Sequence, residues 1–246
     1  MPRSFVRVCC LLLLGLVGSG CEPTPPDAAT REGAAGSPNA GGSSARVADA
    51  SEPDGPRVVF LGTSLTAGLG LRLPSERWPE RLGAMADSAG TPIRVVNAGR
   101  SGDTSAGGLG RLEWLLRDTV DLLVIELGAN DGLRGLPTDD LADNLRTVID
   151  DTRAAWPEAA VLLVGMEAPT NLGDSYTRDF RSVFTSVATD REVSLVPFLL
   201  EGVAGEDDLN QADRIHPTAE GHARIAATVW PHLERLLLEL SGESRP

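Results

Sequence analysis

Five short apolar runs recur between residue 57 and residue 198, and each is continuous rather than alternating with polar residues. They span residues 57–61, 93–98, 121–128, 160–166 and 193–198. Continuous apolar runs of this length are typical of strands that are buried on both faces, as in a parallel sheet. The pattern therefore predicts five parallel strands within one sheet.

Helical patterns lie between these runs. The clearest is predicted from Thr138 to Ala155, with Thr138 as the N-cap, two aspartates in the first turn and apolar residues along one face. The last helix is predicted to begin at Pro217, a favoured first helical position. Strands that alternate with helices predict right-handed crossovers and a three-layer, doubly wound α/β/α sandwich with strand order 2-1-3-4-5.

The strand order also predicts where a site lies. In doubly wound sheets, ligands bind at the carboxyl ends of the strands where the winding reverses, here between strands 1 and 3. The loops that follow strands 1, 2 and 3 carry Ser64, Gly102 and Asn130. Taken singly, these residues have structural explanations as a helix cap, a turn glycine and an Asx-turn residue.

A fourth sequence motif favours a catalytic role over these structural explanations. Asp213 precedes His216 by three residues, just before the final helix. This spacing lets Asp213 accept from imidazole Nδ1–H while Nε2 faces a nucleophile. A serine hydroxyl such as that of Ser64 needs a base of this kind, and the oxyanion formed on attack needs fixed donors. The natural set is the backbone N–H groups of Ser64 and Gly102 and the Asn130 amide.

The blocks that carry these residues, in this order, resemble the SGNH or GDSL hydrolase family, in its thioesterase I, lysophospholipase and arylesterase branch. They read "FLGTSLTAGLGL", "VVNAGRSGDTSAGGLGRL", "ELGANDGLRG" and "DRIHPTAEGHARIA". The resemblance implies a flavodoxin-like sandwich, a catalytic triad, an oxyanion hole, and no metal or organic cofactor. It assigns Ser64, Asp213 and His216 to the triad, and Ser64, Gly102 and Asn130 to the oxyanion hole.

One residue departs from the family pattern. The usual Gly-Asp-Ser-Leu is Gly-Thr-Ser-Leu here, so that Thr63 replaces an acid beside the nucleophile. That acid is not a triad member, and threonine still hydrogen-bonds within a loop. The α/β-hydrolase signature G-x-S-x-G is not matched, because Thr66 stands where its second glycine would be.

Other polar residues are given structural explanations. His222 and His232 lack a pattern of metal ligands around them and are predicted to lie on the surface. Glu126, inside an apolar strand, is predicted to hydrogen-bond a neighbouring loop. Four residues are expected to cap helices and fix the site loops: Arg100, Asp103, Asp131 and Arg134. Residues 168–176 and 199–212 are predicted to overhang the pocket.

The N-terminal region predicts export. Residues 1–20 have the basic, apolar and small-residue regions of a signal peptide, and the apolar run is too short to span a bilayer. Cys21 then resembles a lipoprotein acylation site; the alternative is an ordinary signal peptide cut nearby. Residues 21–56 are rich in Pro, Gly, Ala and Ser and are predicted to form a flexible tether, followed by one domain over residues 57–246.

The net charge and the positions of the cysteines exclude several kinds of partner and site. The formal net charge of −13 argues against nucleic acid and against adhesion to anionic lipid, so a lipid at Cys21 is the only membrane contact expected. All three cysteines lie at or before residue 21, which excludes a disulfide or thiolate site in the domain. We expect a monomeric, envelope-located esterase or thioesterase acting on small acyl, aryl or lysophospholipid substrates. A carbohydrate O-acetyl esterase and a catalytically weak binding lipoprotein are the alternatives.

Overall fold

The computed structural model describes residues 55–242, and within this range five parallel strands form one sheet in the order β2-β1-β3-β4-β5. The predicted strand order is confirmed. β1 lies between β2 and β3, with Val58 opposite Val95 on one side and Leu122 on the other. The strands are β1 Arg57–Gly62, β2 Arg94–Gly99, β3 Leu122–Glu126, β4 Ala160–Val164 and β5 Ser194–Val196.

Three strands end earlier than their apolar runs. β3 stops at Glu126 rather than at residue 128, because Gly128 turns the chain with a φ of 107°. The backbone angle favours glycine, and a Cβ at Gly128 would lie 3.0 Å from the Phe184 ring, which would have to shift slightly. β4 ends at Val164 and β5 at Val196, since Gly165 and Pro197 follow them. The apolar run thus marks a buried segment, not the hydrogen-bonded strand alone.

Helices cover both faces of the sheet. Helices α2 and α8 pack together on one face, and α3, α6 and α7 pack together on the other, which gives the predicted three layers. The helices are α1 Ser64–Ala67, α2 Trp78–Ala89, α3 Ser105–Leu109, α4 Leu112–Leu115, α5 Ala129–Leu133, α6 Thr138–Ala155, α7 Asp174–Asp190 and α8 Ala219–Leu240, with 3₁₀ turns at Pro74–Glu76, Thr170–Leu172 and Asp207–Leu209.

The predicted range of one helix, Thr138 to Ala155, is confirmed with its N-cap wrong by one residue, and the predicted start of the last helix is wrong by two residues. Thr138 is already inside α6, and Pro137 occupies the N-cap position without a side-chain bond. Helix α8 begins at Ala219 rather than at Pro217, because the Thr218 side chain accepts from the Gly221 N–H and is the cap. Pro217 instead pairs with Asn210 in an isolated bridge.

The core lies on both sides of the central strands. Every residue of β3 is buried, and Phe60 of β1 meets Trp78 of α2 edge to face at 5.2 Å. No helix within residues 55–242 combines the length and apolarity needed to cross a bilayer. Because all five strands run in the same direction, the loops that follow them meet at one edge of the sheet. Gly55, where the described chain begins, precedes β1 and lies at the opposite edge.

Candidate active site

Ser64 follows β1 directly. β1 ends at Gly62, Thr63 caps α1, and Ser64 is the first residue of that short helix. A Cβ at Gly62 would come within 2.0 Å of the Thr66 hydroxyl, so only glycine fits this turn. Among residues 55–242 nothing accepts from the Ser64 backbone N–H, as is usual in the first turn of a helix.

His216 joins Ser64 to Asp213. Its Nε2 lies 2.9 Å from Ser64 Oγ, and its Nδ1 lies 2.7 Å from Asp213 Oδ2. With the proton on Nδ1 the ring donates to Asp213, which leaves Nε2 to accept the serine hydroxyl proton. The structure therefore brings these three residues together as the sequence predicts.

The Asp213 carboxylate also organises its own loop. Its Oδ1 accepts from the backbone N–H groups of Ile215 and His216, each at 3.0 Å. The pKa of Asp213 is lowered, first by the backbone N–H of His216, then by its ring and by the Ile215 N–H. Asp213 is half exposed and His216 is mostly buried, with side-chain exposures of 46% and 17%. The lowered pKa keeps Asp213 ionised beside the imidazole at neutral pH.

Gly102 and Asn130 face the same cleft as Ser64. Gly102 has a φ of 84°, which favours glycine, and nothing within residues 55–242 accepts from its N–H. Asn130 Nδ2 donates to the Asp103 carbonyl at 2.9 Å, and Arg134 donates to the Gly102 carbonyl at 2.8 Å. An amide nitrogen carries two hydrogens, so Asn130 keeps one for a ligand. Asn130 in α5 and Arg134 at its C-cap thus hold the loop after β2 by its Asp103 and Gly102 carbonyls.

The acidic residues near the site hold loops, as predicted. Asp131 is buried and accepts from the Ser105 N–H and hydroxyl at 2.8 Å and 2.6 Å. Asp103 pairs with Arg111 at 2.7 Å, whereas Arg100 is mostly exposed and 3.6 Å from Asp103.

Arg111 is a site residue that the sequence analysis missed. A second nitrogen of Arg111 donates to the Gly62 carbonyl at 2.9 Å, so this side chain joins the loops after β1 and β2. Its only sequence signal is a basic residue within "GGLGRL", where apolar and small residues otherwise prevail.

Thr63 and Glu126 meet beneath Ser64. Glu126 accepts from the Thr63 N–H at 2.8 Å and from the Thr66 hydroxyl at 2.7 Å, which confirms the predicted bond from the strand to a neighbouring loop. The Thr63 hydroxyl lies 3.0 Å from Glu126 Oε1 and also accepts, at 3.4 Å, from the Leu65 N–H. Threonine therefore hydrogen-bonds within the loop, as expected.

The prediction that His222 lies on the surface is wrong. Only 1% of His222 is exposed, and its Nδ1 accepts from the Trp78 N–H at 3.2 Å. Burial, followed by the charge of Arg81, lowers the pKa of His222 to about 4. His232 is partly buried. Among residues 55–242, no three side chains of the metal-binding types cluster closely enough to hold an ion.

A cleft of about 760 Å³ opens over Ser64, which is within the usual range for small-molecule sites. Its lining is mainly apolar and includes Leu69, Leu133, Met166, Phe198, Leu200 and Ile215. Pro169 and Thr170 come from one predicted overhanging segment, and Ala204 and Asn210 from the other, so both segments border the cleft.

Comparisons with known proteins show which family the chain is similar to. A model described as the GDSL-like lipase/acylhydrolase family matches residues 60–224, more than half of the chain. Esterase TesA of Pseudomonas aeruginosa is 44% identical over 181 residues, which cover 73% of this chain and 89% of TesA. The Escherichia coli protein named thioesterase 1/protease 1/lysophospholipase L1 is 36% identical, over 73% of this chain and 84% of its own.

A solved structure shares the fold closely. The psychrotrophic esterase EstA from Pseudoalteromonas sp., in a form inhibited by monoethylphosphonate, superimposes with a TM-score of 0.69. It is 34% identical, and the match covers 74% of this chain and 98% of EstA.

Proposed function

The chain belongs to the GDSL-like lipase/acylhydrolase family, and from this premise we propose that Ser64, His216 and Asp213 are its catalytic triad. It is a serine esterase. The observation that carries the residue assignment is the continuous chain of contacts from Ser64 Oγ through the imidazole to Asp213, at 2.9 Å and 2.7 Å.

Catalysis begins at the Ser64 hydroxyl. His216 Nε2 takes the hydroxyl proton as Oγ attacks the ester carbonyl carbon, and Asp213 stabilises the imidazolium that forms. The negative charge on the carbonyl oxygen is met by the N–H groups of Ser64 and Gly102 and by the Asn130 amide. His216 then gives the proton to the leaving group, which departs and leaves an acyl-enzyme. Water attacks the acyl carbon next, His216 takes the proton of the water, and this proton passes to Ser64 Oγ as the acid is released.

The cleft lining supports small acyl, aryl or lysophospholipid substrates. Its walls are mainly aliphatic, with Phe198 as the one aromatic residue among those that line it. Apolar walls bind an acyl chain or an aryl group by excluding water. Polar side chains such as Glu167, Thr170 and Arg214 also line the cleft, so the preference for this class over acetylated carbohydrate rests on the larger apolar share of its walls. The proposed activity covers both oxygen esters and thioesters, because Ser64 Oγ attacks an acyl carbon in each.

The decisive experiment uses the purified full chain with p-nitrophenyl butyrate. The unaltered chain hydrolyses it, and Ser64→Ala lowers kcat/KM by at least about 10⁴-fold. Ser182→Ala, on the exposed side of α7, is the matched control and keeps full activity. A fluorophosphonate probe should label the unaltered chain but not Ser64→Ala. Full activity in Ser64→Ala would refute the assignment, and absence of labelling would favour the binding lipoprotein.

Substrate choice is tested separately. Rates across p-nitrophenyl esters of increasing chain length, acyl-CoA thioesters and lysophosphatidylcholine define the acyl and leaving-group preference. Acetylated xylan is assayed beside them. A kcat/KM for xylan deacetylation above that for every acyl ester would replace this proposal with the carbohydrate O-acetyl esterase.

We also propose export and anchoring through Cys21, with the chain monomeric in the periplasm or cell envelope. The support is the sequence of residues 1–56, most of which lies outside the range that the structure describes. The intact mass of the mature protein should show an acylated Cys21, and Cys21→Ser should move the chain to the soluble fraction. An unmodified N-terminus would contradict the anchor, and light scattering of the soluble variant tests the monomer.

A further inference from the structure

Glu126 lies directly beneath the turn that carries Ser64. It is the last residue of β3, paired in register with Gly62 at the end of β1, and only 1% of it is exposed. A Cβ at Gly62 would be 2.7 Å from Glu126 Oε2, so the carboxylate fills the space under the turn. The turn therefore cannot shift towards the end of β3 unless the Glu126 side chain also shifts.

Three donors converge on this carboxylate from both sides of Ser64. The Thr63 N–H and hydroxyl lie before the serine, and the Thr66 hydroxyl lies two residues after it. Hydrogen bonds to an ionised acceptor are shorter and stronger than neutral ones. An ionised Glu126 therefore fixes the residues on either side of Ser64, and with them the direction of the Ser64 N–H and hydroxyl.

No charged side chain among residues 55–242 donates to Glu126 directly. Other ionisable groups contact this turn without contacting Glu126. Arg111, which pairs with Asp103, donates to the Gly62 carbonyl, and His216 contacts Ser64. Glu80 accepts from Asn97, which also donates to the Thr66 carbonyl. Burial raises the pKa of Glu126 to about 7. A buried carboxylate without a cation destabilises the folded chain, so stability alone does not account for an acid here.

We propose that Glu126 is a positioning residue of the esterase, and that its ionised form, acting through Thr63 and Thr66, holds Ser64 in register with His216 and Gly102. This inference rests on the proposed function of Ser64. It also explains Thr63. An aspartate at 63 would bring a second carboxyl to about 3 Å from Glu126, and two such groups share one proton. Threonine donates instead, and leaves Glu126 free to ionise alone.

Glu126→Gln tests the proposal because it keeps the shape but fixes the neutral state. At about pH 8 we expect kcat to fall roughly 10- to 100-fold with KM changed by less than about threefold, since a misplaced nucleophile slows the chemical step more than binding. The rate of fluorophosphonate labelling should fall in parallel. Thr63→Val, which removes one donor, should lose kcat in the same sense, and Thr63→Ser, which keeps the hydroxyl, is its matched control.

The pH profile separates positioning from a merely structural role. The profile of the unaltered chain should contain an ionisation near pH 7 that Glu126→Gln lacks. Thr63→Asp should lower kcat at about pH 8, because it removes the Thr63 hydroxyl donor and a second carboxyl beside Glu126 disfavours ionisation of both. Thermal unfolding of each variant identifies any chain that is inactive because it is unfolded.

The outcomes are distinct. Equal kcat, labelling rate and pH profile in Glu126→Gln and the unaltered chain would overturn the inference and leave the proposed function intact. Ester hydrolysis that survives Ser64→Ala would overturn the proposed function and this inference together. If Glu126→Gln does not fold, Thr63→Val against Thr63→Ser decides, and equal kcat in that pair refutes the proposal.

Discussion

Replacing Glu126 by glutamine should make the protein more stable at alkaline pH. The carboxyl is almost fully buried, and its pKa is raised from 4.5 to about 7, chiefly by burial. The folded chain therefore holds this proton more tightly than the unfolded chain. Stability from this group is fully present below about pH 4.5 and is lost as the pH rises through about 7.

The size of the effect follows from the shift. A displacement of 4.5 to about 7 corresponds to about 3 kcal/mol at 1.4 kcal/mol for each pKa unit, reached above about pH 8. Glutamine does not ionise, so the variant escapes this loss. Between about pH 5 and about pH 8.5, the stability of Glu126→Gln relative to the unaltered chain should rise by about 2 to 3 kcal/mol.

Urea unfolding of both chains at the two pH values measures this difference. Other titrating groups, His222 included, are present in both chains and cancel in the comparison. Glu158→Gln, at an exposed position before β4, removes the same charge without burial and is the matched control. Parallel stability profiles for Glu126→Gln and the unaltered chain would refute the reasoning, because Glu126 would then ionise alike in the folded and unfolded states.

Three further predictions concern the site and its surroundings. Asn130→Ala should lower kcat about 10²- to 10³-fold in the ester assay with far less effect on KM, since an oxyanion donor acts in the transition state; a change confined to KM would contradict this role. His222, with its pKa lowered from 6.5 to about 4, should make the folded chain less stable as the pH falls from 6.5 towards 4. His222→Gln should flatten this acid limb in urea unfolding, and an unchanged limb would show that His222 is not its source. Arg214 has a φ of 60°, so Arg214→Gly should be more stable than Arg214→Ala by about 1 kcal/mol, the reverse of the usual order; the usual order in thermal unfolding would show that the strain is relieved elsewhere.

The sheet and its order could be predicted because burial on both faces leaves continuous apolar runs. Strand ends could not, since Gly128 ends β3 through its backbone angle while the apolar pattern continues past it. Helix starts depend on which side chain reaches a free N–H. Thr218 and Pro217 are equally plausible starts in sequence, and only the bond to Gly221 decides between them.

The loops of the candidate site could be predicted because topology brings the ends of β1, β2 and β3 together. The supporting contacts could not, as they join residues distant in sequence. Arg111 binds the Gly62 carbonyl across 49 positions, and Trp78 binds His222 across 144. A histidine in an amphipathic helix lies on the surface or in the core depending on which face packs against another helix. For His222 that face meets α2, which a pattern without tertiary contacts does not reveal.

The position of Gly55 determines how the cleft is oriented on a support. Gly55 precedes β1 and Ser64 follows it, so that the six residues of this strand, about 20 Å long, separate the N-terminal side of the domain from Ser64. A chain immobilised close to Gly55, on a bead or an electrode, therefore turns its cleft towards the opposite side. An acylated Cys21 would instead hold the domain through the predicted flexible tether, on which the domain can rotate. Lipids of the anchoring leaflet would then reach the cleft only in those orientations in which the domain is turned over.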